Sequence, residues 1–208
     1  MSQNKILTDK ISIIVNYYNI GNFDKVINEA NRILKKNPAI DFLWNILGLT
    51  YQNLKDYGNA EKKLLMALNI NTKNLSAINN LGNNYKYVHN FNKAEEYFLK
   101  ALKIKPDYVS ALVNYGNLKF QFNKFEDSLK LLNKALAINH KTISIHLNLS
   151  LVYQSLGDFD KAIDHLKIIN SLDPNYTRID NMISALLNYN NEHKHFDLMQ
   201  DKLKCLKL

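Results

Sequence analysis

With 208 residues, 46% of them apolar and 22% charged, the chain has the composition of a folded globular protein with a sizeable core, not of a disordered one. Six glycines and three prolines are too few for the many turns of an all-β fold. A single cysteine, Cys205, excludes a disulfide framework or a Cys-rich zinc module and fits a reducing compartment. The net charge of +8 rests on 25 lysines and only two arginines, Arg32 and Arg178. Arginine is the residue that forks onto phosphates, so nucleic acid is not an expected partner.

A 34-residue period runs along the chain and divides it into 7–40, 41–74, 75–108, 109–142 and 143–176. Phe23, Tyr57, Phe91, Phe125 and Phe159 follow one another at that interval. So do Tyr17, Tyr51, Tyr85 and Tyr153, with Lys119 breaking the series. Small residues recur as Gly48, Gly82, Gly116 and Ser150, and again as Ala60, Ala94, Ser128 and Ala162. Pro38, Pro106 and Pro174 close alternate repeats.

In chain order, the first repeat departs most, with Ile14 where a small residue belongs and Ala30 where a large one belongs. In the second, Trp44, Leu47, Gly48 and Tyr51 fall on one helical face. After a polar turn, Ala60, Leu64, Ala67 and Leu68 fall on another. The third repeats this with Leu81, Gly82 and Tyr85, then Ala94, Phe98 and Ala101. Asn22, Asp56, Asn90 and Asp158 stand where the second helix of a pair needs an N-cap, and Lys124 interrupts that column. Each repeat therefore predicts two antiparallel helices, A and B, and stacked pairs bury what one pair cannot. Beyond 176, Ile179, Met182, Ile183 and Leu186 predict a further A-type helix. Phe196, Met199, Leu203 and Leu206 predict a last one, so that 177–208 forms a terminal cap.

Trp44, Leu47, Gly48, Tyr51, Ala60 and Ala67, with their counterparts from Leu81 to Pro106, resemble the tetratricopeptide repeat (TPR). The resemblance implies an all-α fold: one right-handed α-solenoid of stacked helix pairs over 1–208, ending in a capping helix pair. It implies a non-catalytic scaffold that binds an extended peptide in a concave groove lined by the A helices. On that face lie Asn45 and Asn79 (repeat position 5), Asn80, Asn114 and Asn148 (position 6), and Asn83 and Asn117 (position 9). This set resembles the asparagine ladder of the O-linked N-acetylglucosamine transferase array. An amide carries a donor and an acceptor that match a peptide backbone. Ser12, Ile46 and Met182 occupy position 6 elsewhere.

The carboxylate clamp of chaperone-binding relatives needs lysine at position 5. Ile11, Asn45, Asn79, Val113 and Leu147 stand there, so that role is not expected. The segment after 176 weakly resembles the one that follows such arrays in bacterial sulfotransferases. The alternative reading is thus the substrate- or partner-binding module of a sulfotransferase or glycosyltransferase whose catalytic domain lies outside this chain. No glycine-rich phosphate loop or nucleophile elbow occurs. His193 and His195, with Glu192 and Asp197 nearby, are the only close histidine pair, so no enzyme activity, metal or cofactor is expected. No apolar run reaches the ~18 residues of a membrane span, and residues 11–15 are too short for a signal-peptide core. A protein or peptide partner and a cytoplasmic location are the expectations.

Overall fold

The computed structural model describes residues 3–176 and 178–186. The described residues form eleven helices and no strand: α1 (Gln3–Asn19), α2 (Phe23–Leu34), α3 (Asp41–Asn53), α4 (Tyr57–Ile70), α5 (Leu75–Tyr87), α6 (Phe91–Ile104), α7 (Val109–Gln121), α8 (Phe125–Ile138), α9 (Ile143–Ser155), α10 (Phe159–Leu172) and α11 (Arg178–Leu186). The predicted last helix, with His193, His195 and Cys205, lies outside the described residues. None of the described helices is long and apolar enough to cross a membrane.

Contacts divide the chain into two compact units, Met1–Asn114 and Tyr115–Leu208. In the first, α1 packs on α2, α3 on α4 and α5 on α6, and α2 and α4 each pack on the helix that follows. A-type helices also touch, α1 with α3 and α3 with α5. In the second unit α8 packs on α9, α9 on α10 and α10 on α11. Both are all-α stacks of helix pairs, as the 34-residue period predicts.

The B helices begin where the sequence places their caps. The side chains of Asn22, Asp56, Asn90 and Asp158 accept from the backbone N–H of Lys25, Asn59, Lys93 and Lys161. Each satisfies a donor that the first turn of a helix leaves open. Lys124 makes no such bond. The A helices end through a left-handed residue, at Gly21 (φ 73°), Lys55 (60°), His89 (58°), Asn123 (56°) and Gly157 (78°). Lysine and histidine carry a Cβ that glycine lacks, and the left-handed well costs them about 1–2 kcal/mol. Replacing Lys55 by Gly should therefore raise the stability of the first unit by about 1 kcal/mol, read as a higher urea midpoint with an unchanged slope.

Inside each pair the small residue of the A helix meets a large residue of the B helix. A Cβ built on Gly48 would sit 2.5 Å from Leu64, one on Gly82 2.5 Å from the Phe98 ring, and one on Gly116 3.1 Å from Leu132. The first repeat inverts the sizes: Ile14 and Ala30 are both fully buried in one core cluster. The large residue is thus on the A helix and the small one on the B helix, the reverse of the later repeats. In the fourth repeat Lys119, in the tyrosine column, lays its ammonium 4.9 Å from the centre of the Tyr115 ring.

Polar bonds also tie the second repeat to the third. Asn84 is fully buried; it accepts from Gln52 Nε2 (3.3 Å) and donates through Nδ2 to the Tyr57 carbonyl (3.0 Å). The Tyr85 hydroxyl donates to Glu61 at 2.6 Å, and burial with this bond pushes its pKa well above the ordinary range.

Candidate functional site

The seven asparagines fall into two groups. Asn45, Asn79 and Asn80 are 5%, 5% and 8% exposed, and their amides meet amides of the neighbouring A helix. Asn80 Nδ2 donates to Asn45 Oδ1 at 2.9 Å, and Asn114 Nδ2 donates to Asn79 Oδ1 at 3.0 Å. In both pairs position 5 of one repeat meets position 6 of the next, 35 residues on. A buried amide needs a partner, and here the partner is another amide of the protein.

At two of the other three steps of this register both positions are hydrocarbon, and at the third Val113 is followed by Asn148. Ile11 and Ile46 belong to the core cluster of the first unit, and Leu147 and Met182 to that of the second. In four of the five steps the choice at position 5 is thus matched by the choice at position 6 one repeat later, Val113 with Asn148 being the exception. The sequence reading treated the two positions as independent columns, and so offered these amides to a ligand.

Asn83, Asn117 and Asn148 are partly buried and make no side-chain hydrogen bond among the described residues. Asn83 Oδ1 is buried without a partner and out of a ligand's reach, which leaves Nδ2 as the side of this amide that can meet a peptide carbonyl. One turn further along α5, Lys86 is partly buried, its ammonium 5.7 Å from the Tyr87 ring centre. Burial lowers its pKa, and no carboxylate offsets that among the described residues. The sequence reading did not single out this lysine. The signal was present: Lys86 occupies position 12, where Gln52 one repeat earlier donates to the Asn80 carbonyl at 2.8 Å.

Many other lysines serve the aromatics. Lys25 lies over Tyr17, Lys93 over Tyr85 and Lys161 over Tyr153, at 5.1, 4.9 and 5.2 Å from the ring centres. Each pair joins the end of an A helix to the start of its B helix, with a contribution of about 0.5–1 kcal/mol at such exposed sites. No group of three or more His, Cys, Asp or Glu able to hold a metal ion occurs among the described residues.

Family models for the tetratricopeptide repeat match residues 43–74, 74–140 and 107–167. The chain belongs to the tetratricopeptide repeat family. Solved TPR structures share the fold at low identity. A thermophilic TPR protein of Thermus thermophilus is 18% identical, with a TM-score of 0.77 over 86% of this chain and 97% of the other. Pseudomonas aeruginosa pilF is 16% identical, with a TM-score of 0.79 over 98% and 92%. YrrB, described as a TPR protein with an unusual peptide-binding site, is 15% identical, with a TM-score of 0.58 over 82% and 89%. The sequence matches no curated relative.

Proposed function

We propose that this TPR protein is a non-catalytic interaction scaffold that holds an extended peptide against its A helices. The observation that carries this is the set of amides not committed to the protein: Asn83 in the first unit, Asn117 and Asn148 in the second. A peptide backbone offers an N–H and a C=O at every residue, and an amide side chain matches both. Beside Asn83, Lys86 gives the first unit a preference for an acidic residue in the partner, because a carboxylate would offset the desolvation of its ammonium. The buried amides of Asn45, Asn79 and Asn80 shape the face without contacting the ligand.

The probe is a phage-displayed library of random twelve-residue peptides. Selected sequences are synthesised and titrated into wild type, into Asn83→Ala, into Asn117→Ala/Asn148→Ala, and into Asn45→Ile/Asn80→Ile. At about 0.5–1.5 kcal/mol a bond, a peptide held by the first unit should lose that much through Asn83→Ala, and one held by the second about 1–3 kcal/mol through Asn117→Ala with Asn148→Ala. The Ile pair copies Ile11 and Ile46 of the preceding register, so it should keep affinity and melting temperature. Asn80→Ala alone should lower stability by about 1–3 kcal/mol, because Asn45 Oδ1 is then buried unpaired. Selected peptides that bind all variants alike would overturn the reading.

A further inference from the structure

We propose that His146 and His165 form a proton-binding pair that keeps the last complete helix pair, α9 with α10, closed at neutral pH and loosens it in mild acid. His146 is 3% exposed and its Nδ1 lies 3.0 Å from His165 Nδ1. Its other nitrogen, Nε2, lies 2.8 Å from the carbonyl oxygen of His140. A carbonyl only accepts, so Nε2 carries the hydrogen and Nδ1 carries a lone pair. The same bond recurs in the second repeat, where Trp44 Nε1, which can only donate, reaches the Pro38 carbonyl at 2.8 Å. The proton between the two imidazoles therefore belongs to His165 Nδ1, which donates to His146.

This leaves one lone pair for an incoming proton, His165 Nε2, which makes no hydrogen bond among the described residues. A first proton turns His165 into an imidazolium in a partly buried site, with its ring stacked on Tyr153 (centres 5.6 Å apart, planes at 11°). A second would have to take the lone pair of His146 Nδ1. That breaks the bond and sets two cations face to face. The charged groups that act on His165 come from α9 and α10: Asp164, which favours its charge, and His146, which opposes it once it is itself protonated. Lys161 also lies over the Tyr153 ring, 5.2 Å from its centre. Burial is the largest influence and lowers the His165 pKa.

The repeat register shows that these imidazoles are not required by the fold. Positions 4 and 23, occupied here by His146 and His165, hold Trp44 and Lys63 in the second repeat, with the Lys63 ammonium 5.1 Å from the indole centre. They hold Ile78 and Tyr97 in the third, and Leu112 and Leu131 in the fourth. None of these residues is a histidine. Only the fifth repeat puts two imidazoles there. Its partner surface is the one that α11 covers: Ile163, Leu166 and Ile169 of α10 form one cluster with Ile179 and Ile183. Loosening α9 from α10 thus loosens the seat of α11.

A histidine whose folded pKa is depressed is stabilising when neutral. Its contribution is complete above the unfolded value near 6.5 and is lost as pH falls below it. The test compares the full-length wild type with His146→Leu/His165→Leu, which copies the fourth repeat, and with His165→Gln, which keeps a donor but does not titrate. Amide hydrogen exchange, corrected for the intrinsic pH dependence, is followed in α9–α10 and in α3–α4 at pH 7.5 and 5.5. In wild type the opening of α9–α10 should rise relative to α3–α4, by at most about tenfold, the limit for one proton taken up at an unfolded pKa near 6.5. In both variants that rise should vanish. Imidazole ¹⁵N spectra should show His146 as the Nε2–H tautomer and His165 titrating below its ordinary pH. An ordinary titration of His165, or an equal acid response in the Leu pair, would overturn the proposal.

Discussion

Ile14→Gly is expected to lower the stability of the first unit by about 3–6 kcal/mol, from the loss of a buried side chain together with a glycine in a helix interior. Ile14 is fully buried and shares its core cluster with Ala30, itself fully buried. In the next repeat the corresponding residues are Gly48 and Leu64. The volume that Leu64 supplies from the B helix is supplied in the first repeat from the A helix. Ala30→Leu in the same chain should therefore recover most of the loss, although by itself it overpacks the site and destabilises by about 1–3 kcal/mol. The double-mutant cycle, measured by urea denaturation, should show a favourable coupling of about 2 kcal/mol or more, within the range for residues in contact or close to it. Additive single effects would mean that the two substitutions are unrelated.

Gly82→Ala is the second large effect. A Cβ at that position would stand 2.5 and 2.7 Å from two carbons of the fully buried Phe98 ring. A ring cannot fold out of the way, so α5 and α6 must separate. The expected cost is about 1–3 kcal/mol, even though alanine favours a helix over glycine by about 1 kcal/mol. Gly48→Ala meets the branch point of Leu64 at 2.5 Å and should cost a comparable amount. Gly116→Ala meets Leu132 at 3.1 Å, which a slight rotation relieves, and should cost least. Urea midpoints of the three variants give the ranking. Gly116→Ala as damaging as Gly82→Ala would contradict it.

The helices, their pairing and their caps were legible because each is a local signal. Periodicity along one face and a capping residue at the right place are read within a dozen residues. Asn22, Asp56, Asn90 and Asp158 cap, and Lys124 does not, as the column shows. The partners of the buried polar groups were not legible in columns aligned at 34 residues. Asn45 meets Asn80 at a separation of 35, and His146 meets His165 at 19. The size exchange of Ile14 with Ala30 sits at 16. None of these separations is a multiple of the repeat, so comparing equivalent residues cannot reveal them. They appear only when two different positions are compared across or within repeats. The chemistry of the candidate site depends on that comparison, because it separates amides that hold the stack from amides open to a ligand.

The pairing of position 5 with position 6 of the following repeat has a consequence for how such a chain can change its length. Removing residues 41–74 as a block would keep every helix intact, yet it would set the alkyl side chain of Ile11 where Asn80 now finds the Asn45 carbonyl oxygen. Duplicating the same block would set Asn45 against a second copy of Ile46, again stranding an amide. The repeats look interchangeable by their shared columns, but unequal crossing-over carries a penalty wherever the new junction sets an alkyl group against an amide, as at either end of 41–74, and none where it sets Asn45 against Asn114.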